Sequence, residues 1–143
     1  MHRLLVVLFL LTNHAVADET DNPAGRWTTI NEETHAVESV VLIELKNNEL
    51  RGKIVALVDQ SNPLCTECEE GQKGQAILGM EILNGFKKNG SNWQGGQILD
   101  PSNGKKYNAT IDVIDNGNKL KVRGYIGFSL FGRTQVWVRD KAR

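Results

Sequence analysis

The segment Gly95-Gly96-Gln97-Ile98-Leu99-Asp100-Pro101-Ser102-Asn103-Gly104-Lys105-Lys106-Tyr107 constrains the fold most, because it reads as a strand end, a tight turn and the start of the next strand. Pro101 presets φ for the second position of a turn opened by Asp100, and Asn103-Gly104 closes it with residues that accept positive φ. Asp100 is therefore read as a turn former ahead of a general base. The same punctuation recurs in Lys46-Asn47-Asn48-Glu49, in Asn89-Gly90 and in Asp115-Asn116-Gly117-Asn118. The last holds an Asn-Gly pair, the strongest short hairpin signal.

Between these turns the chain alternates as half-buried antiparallel strands do. Ordered structure is expected from Gly25-Arg26-Trp27, followed by a β-branched run over residues 37–45. In residues 50–58, Leu50, Gly52, Ile54, Ala56 and Val58 share a face, with Arg51 and Lys53 opposite. A long loop occupies residues 59–74, and strand text resumes over 76–86, where Gly79 and Gly85 favour a strand over a helix. Trp93 to Leu99 leads into the opening hairpin. Tyr107, Ala109, Ile111 and Val113 then form one face, Leu120, Val122, Gly124 and Ile126 another, and residues 134–139 the last strand. About eight strands joined mostly by short hairpins, with no convincing helix, predict an all-β fold: an eight-stranded antiparallel up-and-down barrel, which removes unpaired edges by closing on itself.

Such a barrel is just wide enough to be filled by its own side chains or to hold one small ligand. Glycines at 52, 79, 95, 96 and 124 lie in or beside strands. They are expected to permit the bends that closure demands, and they also offer interior volume to a ligand.

At the N-terminus, Arg3, the apolar run over residues 4–11 and Ala15-Val16-Ala17 form an export signal with an A-x-A cleavage site. The expected organisation is a signal peptide over 1–17, a flexible leader over 18–24 and a single barrel domain over 25–143. This places the mature protein in the periplasm or outside the cell. No later stretch approaches the roughly 18 apolar residues of a membrane helix, so stable membrane insertion is not expected. Loss of Arg3 leaves 16 basic residues (17 less one) against 17 acidic ones, which argues against a nucleic-acid partner.

Catalytic constellations are thin. Ser39, Ser61, Ser91, Ser102 and Ser129 lack a nucleophile-elbow context, and His35 is the sole histidine after residue 17. No enzyme activity and no cofactor are expected. Cys65-Thr66-Glu67-Cys68 sits in an oxidising compartment after export, where a disulfide is the default. A redox pair needs a lowered thiolate pKa, which Glu67, Glu69 and Glu70 oppose. A zinc site needs two further ligands that the sequence does not supply, so no metal is expected. Phe128, Leu130 and Phe131 form an apolar tip that either plugs one barrel end or touches a ligand or partner. Trp93, Tyr107, Tyr125 and Trp137 are either core aromatics or pocket lining. The candidate ligand-binding set is Tyr107, Tyr125, Phe128, Leu130, Phe131 and Trp137.

The runs GRW, LRGKIV, C-x-x-C, ILGMEIL, WQGGQILDPSNGKKY and LKVRGYIGFSLFGRTQVW, with the closing Arg139, resemble an uncharacterised exported bacterial family, domain of unknown function 2147. The resemblance covers nearly all of the chain after the signal and implies a lipocalin-like barrel without an established activity. Lipocalins open with G-x-W and pack a late arginine across that tryptophan at the closed end. Gly25-Arg26-Trp27 matches the opening and Arg139 is the corresponding cation, a structural contact worth roughly 0.5 to 2 kcal/mol. Gly25, Trp27, Arg139, Asp100, Pro101 and Gly104 are thus structural residues, and Cys65 and Cys68 the disulfide. The expected function is binding or carrying a small hydrophobic ligand. Alternatives are a non-catalytic envelope or surface interaction protein, with a protein partner the sequence does not name, and a thiol-disulfide active protein.

Overall fold

A computed structural model describes residues 19–127 and 132–141. The expected export signal over residues 1–17 and the tip residues Phe128, Leu130 and Phe131 lie outside them. After a 3-10 turn at Glu19–Asp21 come eight strands: β1 Gly25–Ile30, β2 Val37–Lys46, β3 Glu49–Leu57, β4 Glu81–Asn89, β5 Asn92–Asp100, β6 Lys105–Ile114, β7 Lys119–Tyr125 and β8 Gly132–Arg139. Each pairs antiparallel with its sequence neighbour, and β8 closes onto β1 through Trp27↔Arg139 and Thr28↔Val138. The expected eight-stranded up-and-down barrel is the fold.

Local chemistry explains the tight turns. Asn47 and Asn48, joining β2 to β3, both adopt positive φ, at 52° and 62°. Asparagine tolerates that conformation better than other side chains, and a turn with two such residues matches the twist of its strands. Between β5 and β6, the Asp100 carbonyl accepts from the Gly104 N–H at 2.8 Å, and Asp100 Oδ1 accepts from the Ser102 N–H at 2.9 Å and its hydroxyl at 2.6 Å.

Three boundaries differ from the sequence reading. Residues 76–80 are not strand: Leu64↔Ala76 is an isolated bridge, Gly79 turns with φ 88°, and β4 starts at Glu81. Gly79 donates its N–H to the Ile54 carbonyl at 2.7 Å, so the chain crosses the end of β3 before aligning with it. The shared inner face of β3 extends over Leu50, Gly52 and Ile54. A register shift at Val40/Val41 interrupts it, and Val58 is 67% exposed. Order also begins before Gly25, because Pro23 is buried and its carbonyl accepts from Trp27 Nε1 at 2.8 Å.

The connection between β3 and β4 covers the outside of the barrel at β4, β5 and β6. Ile82 and Leu83 are adjacent in sequence yet both buried, and alternation requires them to face opposite sides of β4. Leu83 enters the barrel core; Ile82, with Leu99, lies under the connection beside Gln72. Cys65 and Cys68 form a disulfide within this segment. One sulfur sits 3.5 Å from the Pro101 carbonyl oxygen, and a Cβ on Gly104 would overlap the Glu67 carbonyl. Gly104, with φ 71°, thus serves both its turn and the close approach of the loop backbone.

Candidate functional site

The barrel interior has two unequal ends. The closed end gathers the 3-10 turn, the β2–β3, β4–β5 and β6–β7 hairpins and the end of β8. Alternation sends Trp27, Ile43, Leu50, Phe86, Leu120 and Trp137 inward there, all at most 2% exposed. Arg139 locks this end. Its guanidinium carbon lies 4.2 Å from the centroid of the Trp27 ring, while Nε donates to Gly117 O at 2.6 Å, Nη1 to Ala24 O at 3.0 Å and Nη2 to Asn22 O at 2.8 Å. A Cβ on Gly25 would stand 2.9 Å from Nη1, so the residue beneath the guanidinium must be small.

Two of the glycines counted as ligand space are taken up by the core. A Cβ on Gly52 would come 2.8 Å from Leu83 Cδ1, and one on Gly96 would overlap the Phe86 ring. Their missing side chains let Leu83 and Phe86 lie against the sheet, which corrects the expectation that these positions vacate volume for a guest.

Toward the opposite end, the mouth, the inward columns become wetter. On β6, Ile111 and Ala109 are buried and Tyr107 is half-buried; on β7, Leu120 and Val122 are buried and Gly124 is partly exposed. On β8, Trp137 is buried, Gln135 is partly exposed and Arg133 is exposed. Polar groups accumulate in the same direction. The Thr29 and Ser39 hydroxyls share a 2.7 Å hydrogen bond, Gln135 Oε1 accepts from Trp137 Nε1 at 3.2 Å, and Tyr107 Oη accepts from Asn103 Nδ2 at 3.1 Å. Arg133 Nη2 lies 2.8 Å from Glu32 Oε2, and the hydrogen bonds and charge of Glu32 hold the guanidinium above its ordinary pKa.

Of the candidate ligand set, Tyr107 borders the mouth. Trp137 belongs to the closed-end plug, and Tyr125 alternates with Gly124, which places it on the outer face with Lys121 and Arg123. Phe128, Leu130 and Phe131 lie outside the described residues. Thr29, Gln135, Arg133 and Glu32 were not singled out from the sequence, and Ser39 was weighed only as a nucleophile. Counting back in twos from Trp137 would have put Gln135 and Arg133 on the inner face. His35 is exposed in the β1–β2 connection, and no group of three or more metal-ligating side chains occurs among the described residues. Two shallow clefts, of about 60 and 180 Å³, lie on the outer wall: one beside Ile82 and Leu99, the other between Leu42, Arg51 and Lys53. No helix among the described residues is long and apolar enough to cross a membrane.

No curated protein matches the chain. Among solved structures, a protein from Helicobacter pylori, HP1028, described as belonging to the lipocalin family, superposes with a TM-score of 0.70 at 20% identity, covering 82% of each chain. That likeness agrees with the barrel described above. A family model for an uncharacterised protein conserved in bacteria, DUF2147, matches residues 25–139, and the chain belongs to that family.

Proposed function

We propose that this protein is an exported binding module that holds a small hydrophobic ligand in the mouth half of its barrel, in the periplasm or outside the cell. The gradient along the inward columns carries this reading: a side-chain plug at the closed end gives way to half-buried Tyr107 and partly exposed Gly124 at the other. A concave, largely apolar wall with a few polar groups is the usual form of a small-molecule site. Each Å² of apolar ligand surface buried there contributes about 25 cal/mol. The lipocalin-like fold is compatible with that role, and the signal pattern in residues 1–17 supports export. The reading calls for no catalytic step, and burial of Cys65 and Cys68, at 0% and 4% exposure, argues against thiol exchange.

The test uses N-phenyl-1-naphthylamine, a neutral fluorescent probe, with the mature chain and with Gly124→Leu. A Cβ at Gly124 would meet Tyr107 Cβ at 3.4 Å, so the larger side chain is aimed into the mouth. Saturable binding that weakens at least about tenfold in the variant, with the fold intact by circular dichroism, supports the reading. Equal binding by both chains removes the mouth as the site. A second reading, a surface interaction protein, draws on the outer wall, where Val136 and Val138 are 42% and 37% exposed. A protein partner retained in native mass spectrometry, with no small adduct, would favour it.

A further inference from the structure

We propose that the ligand is an amphiphile with one anionic head group, and that Arg133 receives that head group at the mouth in exchange for Glu32. This rests on the binding reading above and adds the ligand's chemical class to it. On β8 the inner face is occupied at two-residue steps by Trp137, Gln135 and Arg133. The first is buried, the second hydrogen-bonds the first, and the third puts a permanent charge at the mouth end of the column. Arg133 is registered against Gly124, and an added Cβ there would contact Tyr107 and Ile98, the apolar lining of the mouth. Arg133 therefore stands at the mouth end of the inward column of β8, level with Gly124.

Glu32, from the β1–β2 connection, occupies the position that a ligand head would take. Its carboxylate meets Arg133 edge-on, with Nε 3.2 Å from Oε1 and 3.0 Å from Oε2, and Nη2 2.8 Å from Oε2. Oε2 thus accepts from both Nε and Nη2 along one edge of the guanidinium fork, and Oε1 from Nε alone, a charge-assisted contact of the kind arginine makes with carboxylates and phosphates. The two side chains are 68% and 40% exposed. An ion pair so wet adds little to stability and exchanges readily. A ligand head tethered to a tail already in the barrel competes for the fork at high effective concentration. Asp100 accepts from Ser102 through Oδ1 within its own loop, and its charge, after that of Glu32, also favours the Arg133 guanidinium.

The experiment titrates the mature chain with dodecanoate, dodecyl phosphate and dodecanol, which share a tail and differ in the head, and repeats it with R133Q and E32Q. The expected result is that at least one anionic probe binds about fivefold or more tightly than dodecanol. R133Q abolishes that preference and leaves dodecanol unchanged. E32Q, which removes the internal competitor, tightens the anionic probe by about threefold. Whichever anion leads identifies the head as carboxylate or phosphate. Equal binding of all three probes overturns the proposal while leaving the binding reading intact, as does weaker anion binding in E32Q, the mark of a purely structural clamp. Should the mature chain bind none of the probes, both fall. If R133Q is unfolded by circular dichroism, the direction of the E32Q effect decides alone.

Discussion

Arg139 shows how much one side chain does at the closed end. It covers the Trp27 ring and at the same time satisfies carbonyls of Asn22, Ala24 and Gly117, so the N-terminal segment, the β6–β7 hairpin and the last strand meet at a single guanidinium. Beneath it, Trp27 is fully buried with its Nε1–H donated to Pro23. Trp27→Ala is expected to cost about 3 to 5 kcal/mol, because a large aromatic leaves a cavity that a closed barrel cannot collapse into. Urea unfolding of the two chains measures it, and an unchanged midpoint would remove Trp27 from the core. This pair was legible in the sequence through the G-x-W opening and the late arginine. The carbonyl partners were not, because backbone acceptors leave no trace in residue identity.

At the scale of the element, the connection between β3 and β4 departs most from a simple meander. Read alone, residues 76–80 look like strand because they are apolar, yet Met80 joins the buried cluster and Ile77 packs against it from a turn rather than a strand, with the Ile77 carbonyl accepting from the Met80 N–H at 3.0 Å. Two-sided burial of β4 broke the period-two signal that located the other strands. The docking point is tight, with Gly104 against the Glu67 carbonyl. Gly104→Val is expected to destabilise by about 2 kcal/mol or more, since it adds strain at positive φ to a backbone overlap. Thermal melts measure the loss, and amide exchange should quicken in residues 58–80 before it does in β6 and β7. A variant with wild-type melting and exchange would show that the loop is not seated on Gly104.

For the whole molecule, closure is uneven. β7 and β8 remain paired from Lys119↔Val138 to Tyr125↔Gly132, whereas β1 and β8 are in register at Trp27↔Arg139 and Thr28↔Val138 among the described residues. Local opening follows the least-paired boundary. Amides of Thr29 and Ile30 are therefore expected to exchange faster than those of Ile111 and Val122, by hydrogen exchange read residue by residue. The reverse order would mean that the seam is not the weak edge. Such an opening lies at the mouth, where Glu32 and Arg133 bridge β1–β2 to β8.

Alternation of side chains and the turn chemistry of Asn47-Asn48, Asp100-Pro101 and Asn116-Gly117 determined by themselves that this chain is an eight-stranded meander, because a period of two and a left-handed turn are properties of a few neighbouring residues. Only the tertiary structure decided what the inward faces enclose. Gly52 and Gly96 are filled by Leu83 and Phe86 from β4, and Arg133 meets Glu32 across a hundred residues of chain. Those outcomes depend on the stagger at which the strands close, and stagger is a relation between distant residues that no local pattern encodes.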